Sequence, residues 1–409
     1  MSVRHERAMS VSRVKTLLWA RGLRAFADGY VSLLLPIYLI GLGLTPFQVG
    51  VIATATLLGS GALTLLVGWR ANRFDSRALL LAAAVLMCAT GLGFATVTSF
   101  WPLVVIAVVG TLNPSSGDVS VFLPLEHAVL ARVVADRERT ATFARYSLVG
   151  ALAGALGAIF AGVPELLAAA LKVDVQGLYP WMFALYAGLG LTSGLIYRKL
   201  PVATVHTDVR AAPLKESKRI VYALAALFSL DAFGGGFIVQ SLLALWLFEK
   251  FQLSTAVAGT IFFWTGVLSA FSYLVAARIA HRIGLVNTMV FTHLPSSVLL
   301  LLIPLASDLG WVVALLLVRS ALSQMDVPTR SSYVMAVVSP AERAAAAGIT
   351  SVPRSLASAV SPLIAGYLLG LSTFGWPLIV AGALKIAYDL MLLATFRAVR
   401  PPEEAALPP

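Results

Sequence analysis

Seven charged residues interrupt long apolar runs: the acids Asp28, Asp118, Asp231 and Asp326, and the bases Arg24, Arg319 and Arg354. A charge at the centre of a bilayer costs on the order of 2.5–3.5 kcal/mol on insertion scales, so each needs a partner or a task. Burial raises a carboxyl's affinity for protons and a neighbouring guanidinium lowers it, so an acid with a movable Arg partner can load and release a proton. Arg24 and Asp28 are four apart and share a helical face, which lets them pair with each other, while the favoured reading is that both face a central cavity. Arg319 and Asp326 are seven apart, and with Gln324 and Arg330 they form a second polar stripe. Asn113-Pro-Ser-Ser-Gly-Asp118 is a Pro-Gly interruption beside an acid, the kind of broken helix that exposes backbone groups to a solute. Arg354, next to Pro353, is placed either as a solute counter-charge or as a partner of Asp326. Gln240 completes the candidate substrate and proton-coupling set. Three arginines converging on a carboxylate or phosphate would bind it with bidentate geometry.

Other polar residues are assigned structural roles. Arg145 snorkels or pairs with Glu126 or Asp136. Lys385 and Asp389, four apart on a helix expected at the periphery, read as a structural pair. His293, four residues after Met289, has a spacing suited to a soft metal, but no third ligand stands nearby and no metal site is expected. Trp246, Phe262, Phe263 and Trp264 either line an aromatic wall or anchor at the membrane interface, the latter being favoured. The sequence holds no Gly-x-x-x-x-Gly-Lys-Ser/Thr loop, no nucleophile elbow and no paired His or Cys, so neither an enzyme nor a cofactor is expected.

The elements that must position these charges follow from composition. The chain has 409 residues, 59% of them hydrophobic and 12% charged, with a mean hydropathy of +0.88. Soluble domains carry roughly 25% charged residues, so this is a polytopic membrane protein. At about 20 apolar residues per spanning helix, the length accommodates roughly ten to fourteen spans. The net charge of +11 would suggest nucleic acid in a soluble chain, but its placement argues otherwise. Six apolar segments, near 17–42, 46–67, 78–97, 102–130, 140–161 and 179–197, are followed by a polar stretch. Six more lie near 219–248, 255–277, 285–306, 310–338, 344–369 and 376–396. With a cytoplasmic N-terminus, the inside segments collect nearly all the loop Lys and Arg from Arg70 to Arg400, Arg330 among them. The outside loops keep Lys172 and Lys250, which is the positive-inside pattern.

The two halves repeat. Pro124–Arg139 aligns without gaps on Pro328–Arg343, Arg24–Gly29 on Asp231–Gly236, and Gly68–Arg77 on Ala277–Val286, at offsets of 204, 207 and 209. The same order at nearly the same offset indicates a duplicated six-helix unit. The fold expected is all-α, with twelve transmembrane helices in two pseudo-symmetric six-helix bundles. Its parts are a cytoplasmic tail 1–12, a first bundle 13–197, a cytoplasmic linker 198–217, a second bundle 218–397 and a cytoplasmic tail 398–409. Arg24 and Asp231 take matched positions with opposite charges, so they are expected to approach each other as a state-dependent lock.

Gly68-Trp-Arg-Ala-Asn72-Arg73-Phe-Asp75-Ser-Arg77 resembles the loop signature of the major facilitator superfamily, Gly-x-x-x-Asp-Arg-x-Gly-Arg-Arg/Lys. Asn72 stands at its Asp and Asp75 at its second Gly. In the second half, His281 takes the Asp position, Arg282 is kept and Gly284 matches the Gly. Helix five resembles the family's antiporter signature in its small residues, Gly150, Gly154 and Gly157, with Ala155 where Pro is expected. The resemblance implies alternating access by two bundles around a midplane site lined by helices one, four, seven and ten. The repeat-matched Glu138-Arg139 and Glu342-Arg343 are expected to brace the cytoplasmic gate in each half. The function implied is secondary transport of a small organic solute, proton-coupled and directed to efflux, by a monomer in the bacterial inner membrane with both termini cytoplasmic. Its partners would be solute, protons and lipid, without nucleic acid. One alternative is a carrier of an organic anion or phosphate-like solute using Arg24, Arg319 and Arg354. Another is a transport-inactive receptor or scaffold, which would be expected to lose the mid-membrane charges.

Overall fold

With no water in a bilayer core, each backbone N–H and C=O must find its partner inside the segment, so apolar runs of this length fold as helices. The computed structural model describes residues 3–70, 75–115, 120–134, 136–201, 214–339, 342–397 and 399, and among them there are sixteen α-helices and no strand. In the first half these are α1 (Val3–Gly41), α2 (Pro46–Arg70), α3 (Ser76–Thr96), α4 (Phe100–Val109), α5 (Phe122–Val133), α6 (Asp136–Phe160), α7 (Val163–Leu171) and α8 (Tyr179–Tyr197). The second half holds α9 (Lys218–Gly236), α10 (Gln240–Phe251), α11 (Thr255–Ile283), α12 (Leu285–Leu302), α13 (Leu309–Ser323), α14 (Asp326–Val337), α15 (Arg343–Leu371) and α16 (Trp376–Phe396).

Ten helical stretches among the described residues are long and apolar enough to cross a membrane, with α6–α7, α9–α10 and α13–α14 each counting as one. The segment expected at 102–130 is instead two helices, α4 and α5, neither long enough to span alone. α4 ends at Val109 with Gly110 extended as its C-cap, and beyond it Asn113 Oδ1 accepts from the backbone N and hydroxyl of Ser115 at 3.1 and 2.7 Å, a local turn in place of helical hydrogen bonding. Asp118 lies outside the described residues. Helix ten is likewise interrupted at Gln324 and Met325, between α13 and α14. Arg319 and Asp326 therefore do not form one stripe on a continuous helix, as their spacing suggests.

The chain divides into two units, Met1–Thr207 with Gln252–Phe263, and Asp208–Phe251 with Trp264–Pro409. In the first unit α1 packs along α6, and α3 along α8. A Cβ on Gly29 of α1 would stand 2.1 Å from the carbonyl oxygen of Gly154 in α6, and one on Gly157 would stand 2.1 Å from that of Phe26. The small residues of helix five are thus the seam on which α1 rests, which accounts for them as packing. The same unit includes a contact from Glu165 in α7, whose carboxylate accepts from the first free amides of α11, Thr255 at 2.6 Å and Ala256 at 3.1 Å.

In the second unit α9 packs along α15, and α16 lies against α9 and α12. Their core is built from Leu224, Phe228, Met289, Tyr333, Tyr388 and Leu392. Gly236 repeats the seam of the first unit, because a Cβ there would stand 2.3 Å from the Ser358 carbonyl of α15. Gly29 and Gly236 are the matched last residues of one repeat, so each glycine serves the same close approach. Gly29→Ala is expected to destabilise the protein by about 1–3 kcal/mol through overpacking. A thermal unfolding midpoint equal to wild type would show that the seam yields freely. Trp246, expected at an interface, is fully buried and donates from Nε1 to the Thr373 carbonyl at 3.0 Å, whereas Trp264 is exposed.

Candidate functional site

Each unit buries a cluster of charges. In the first, Arg24 in the middle of α1 meets Glu126 in the first turns of α5, and both are closed to solvent. Arg24 Nε also donates to the Tyr197 hydroxyl at 3.0 Å, and the guanidinium lies 4.1 Å from the Phe122 ring centroid. Tyr197 in turn donates to Glu126 Oε1 at 2.6 Å, and Tyr146 donates to Oε2. The carboxylate therefore accepts from one guanidinium and two phenols, a fully connected network of the kind a buried ion pair requires. Asp28 is buried on the same helix and acts on Arg24, Tyr30 and Tyr186 electrostatically. Arg24 is held by Glu126, with Asp28, one turn further along α1, acting on it electrostatically. Glu126 is not a partner of Arg145, which is exposed.

In the second unit, Asp231 of α9 accepts from Lys385 Nζ at 2.7 Å on one oxygen and from Arg330 Nη2 at 2.9 Å on the other. Arg330 also binds Asp326, one turn before it on α14, and lies 5.0 Å from the Phe228 ring centroid. His293 of α12 places Nε2 3.5 Å from Asp231 and Nδ1 2.9 Å from both oxygens of Asp389. Sequence spacing assigned Lys385 and Asp389 to each other on a peripheral helix. Because α16 packs against both α9 and α12, the two face inward instead, and each serves a different partner. Arg330, counted among the loop charges, is buried in this cluster. Arg24 and Asp231, expected to lock onto each other, are each satisfied within their own unit.

The two clusters match through the repeat. Arg24 aligns with Asp231, and Glu126, in Pro124-Leu-Glu126, aligns with Arg330, in Pro328-Thr-Arg330. Arg24–Glu126 and Asp231–Arg330 are the same pair with the charges exchanged. Glu126 was missed as a site residue although the gapless repeat alignment sets it opposite Arg330; its spacing to Arg145 drew attention away.

Asp231, His293 and Asp326 offer ligand atoms within 4.8 Å of one another. Their oxygens are already committed to Lys385 and Arg330, whose charges would repel a metal cation.

The model of the Major Facilitator Superfamily matches residues 17–230 and again 223–409. The chain belongs to the major facilitator superfamily. It is 27% identical over 426 residues to an uncharacterized membrane protein of Saccharomyces cerevisiae, YJR124C, covering 95% of each chain. Among solved members of the superfamily fold, it is similar to the nucleoside transporter NupG, with a TM-score of 0.72 and 14% identity over 94% of this chain and 99% of that one. It is also similar to a D-xylose-proton symporter, with a TM-score of 0.72 and 16% identity over the whole of both chains. For the human organic anion transporter MFSD10 the TM-score is 0.66 and the identity 19%, over 94% of this chain and 99% of that one.

The superfamily's loop signatures are placed in part. Gly68 ends in the last turn of α2, while Asn72 and Arg73 lie outside the described residues. Asp75 stands just before α3 and Arg77 in its first turn, both half-buried. His281 and Arg282 are exposed in the last turn of α11. Gly284, at the signature's Gly, joins α11 to α12 with φ +86°, a conformation that only Gly adopts without strain. Glu138 and Arg139 are in the first turn of α6, their side chains outside the described set.

Glu342 is a clamp rather than half of an ion pair with Arg343, which is exposed. Its carboxylate accepts from the backbone amides of Lys215 at 2.6 Å, Glu216 at 3.0 Å and Ser217 at 3.1 Å, capping the start of α9. The Lys215 amide, with those of Glu216 and Ser217, lowers the carboxyl from its ordinary 4.5 to about 2. A depressed folded value contributes stability above the ordinary value that is lost as pH falls towards the folded one. The stability advantage of wild type over Glu342→Gln should therefore be constant above pH 4.5 and shrink between there and about pH 2. Thermal unfolding of both proteins across that range checks it; a constant difference would contradict the clamp.

Proposed function

We propose that this chain is a secondary active transporter working by alternating access, with twelve spans in two six-helix halves at residues 13–197 and 218–397. It moves a small organic solute across the cell's inner membrane, coupled to protons and directed to efflux, with both termini cytoplasmic. The observation that carries this reading is the charge-exchanged, repeat-matched pair of buried ion pairs, Arg24–Glu126 and Asp231–Arg330. A proton arriving on Glu126 breaks its pair with Arg24, and one on Asp231 leaves Arg330 to Asp326 alone, so protonation and helix position are linked. Asp28 and Asp326, beside the two pairs, and Gln240, half-buried at the start of α10, complete the site.

The test is reconstitution into liposomes enclosing pyranine, with addition of organic anions, organic cations, nucleosides, sugars and amino acids in turn. One class is expected to move protons with the solute in wild type and not in Glu126→Gln. Proton flux that is absent for every class, or unchanged in the variant, would overturn the reading.

A second reading concerns the solute. Arg319 carries a buried Nε with no hydrogen-bond partner among the described residues, and Arg354 stands exposed on α15 within electrostatic range of Arg330, Asp231 and Asp326. Two guanidinium groups outside the ion-pair network suit a carboxylate or phosphate, which favours the organic anions in that panel.

A further inference from the structure

His293 is the one residue of the second cluster whose charge changes between about pH 5 and pH 8 in ordinary surroundings, and the assignments above give it no task. Its surroundings define which nitrogen is free. Asp389 is fully buried and presents both oxygens to Nδ1 at 2.9 Å. A carboxylate accepts, so Nδ1 carries a hydrogen and donates it. That leaves the Nε2 lone pair aimed at Asp231 Oδ1, 3.5 Å away. A lone pair facing a carboxylate is repulsive, and a proton between them turns the contact into a charge-assisted hydrogen bond. Asp231 already accepts from Arg330 on α14 and Lys385 on α16, and a protonated His293 would add a third donor, from α12.

The surrounding charges come from every packed element. α9 supplies Asp231, α14 supplies Asp326 and Arg330, and α16 supplies Lys385, Asp389 and the Tyr388 ring, whose centroid is 5.8 Å from that of His293. Arg319 on α13 and Arg354 on α15 act on Asp231 from farther off. Asp231 accepts from Arg330 and Lys385 and Asp326 from Arg330, while Asp389 faces His293, whose protonation would place one cation between Asp389 and Asp231.

Building on the proton-coupled reading, we propose that His293, held between Asp389 and Asp231, is a proton-binding site of the second half. The proton bonds to the Nε2 lone pair and comes from the aqueous phase, while the Nδ1 hydrogen stays on Asp389; release returns the proton to water and leaves the neutral Nδ1–H imidazole. His293 and Asp389 are closed to solvent in this conformation, so the exchange belongs to another state of the cycle. Losing the proton removes one of Asp231's three cationic neighbours, which links His293 to the α9–α14 ion pair.

The experiment is nitrogen NMR of the full chain, labelled with 15N-histidine, in lipid nanodiscs. His293→Gln identifies the resonances. The expected result is one imidazole that passes from the doubly protonated form to the Nδ1–H tautomer as pH rises. Asp389→Asn changes the proportion of the two forms at a given pH. An imidazole that stays in one form throughout, or one unaffected by Asp389→Asn, would overturn the proposal. In the pyranine liposomes, His293→Gln should lose proton flux while keeping solute exchange. Flux lost in Glu126→Gln but intact in His293→Gln sinks this inference and leaves the coupled transporter standing. Wild type without proton flux sinks the coupling, while the NMR titration still decides whether His293 binds the proton.

Discussion

Glu126→Gln is expected to cost about 3–5 kcal/mol, because it leaves Arg24 as a buried cation without its counter-charge. Arg24 cannot escape by losing its proton, and what it keeps is the Tyr197 hydroxyl, the Phe122 face and the field of Asp28. The opposite truncation, Arg24→Met, is expected to cost less. Glu126 can take up a proton and keep its bonds to Tyr146 and Tyr197. The double variant Arg24→Met/Glu126→Leu should return to within about 1 kcal/mol of wild type, since apolar replacement of a whole buried pair is often neutral or better. It should nevertheless be inactive in the pyranine assay. Thermal unfolding of the four proteins in one detergent checks the order, at about 2–4 °C per kcal/mol for a unit of this size. If Arg24→Met proves the more damaging single change, Glu126 is not what holds Arg24.

The second large effect centres on Asp231. Asp231→Asn withdraws the charge that Lys385, Arg330 and His293 share. Arg330 keeps Asp326, but the Lys385 ammonium loses the carboxylate it is held by inside the bundle. A loss of about 3–5 kcal/mol is expected, as for any half-removed buried pair. Adding Lys385→Met should recover part of it, with a coupling energy of about 1–3 kcal/mol in the double-mutant cycle. Strict additivity of the two changes would show that the 2.7 Å contact contributes nothing. Both Asp231 variants should also lose proton-driven transport, which the stability of the recovered double variant allows to be read without a folding defect.

Much of the fold was legible because a bilayer imposes a simple rule on sequence. Apolar runs become helices, and a break appears where the backbone turns extended, as at Gly110. The repeat was also legible, and its glycines have a physical cause: Gly29 and Gly236 sit where neighbouring backbones leave no room for a Cβ. Pairing was read less well. Spacing along one helix allowed Arg24–Asp28, favoured Lys385–Asp389 and put Arg319 and Asp326 on one face, since residues four or seven apart share a face. Charged side chains inside a bundle, however, point between helices, where the partner is chosen by which helices pack. Arg24 found Glu126 on α5, and Lys385 and Asp389 were divided between Asp231 and His293. The break between α13 and α14 removed the continuous face that Arg319 and Asp326 seemed to need.

By itself, the sequence determined that this is a helical membrane protein with a duplicated core and a few charges too costly to be incidental. Those conclusions rest on composition, periodicity and repeat offset, which are local or additive along the chain. Only the tertiary structure decided that the costly charges form two closed networks, matched by the repeat but opposite in sign. The pairs Arg24–Glu126, Asp231–Arg330 and Asp231–Lys385 join residues 102, 99 and 154 positions apart in sequence, and those distances exist only once the helices have packed.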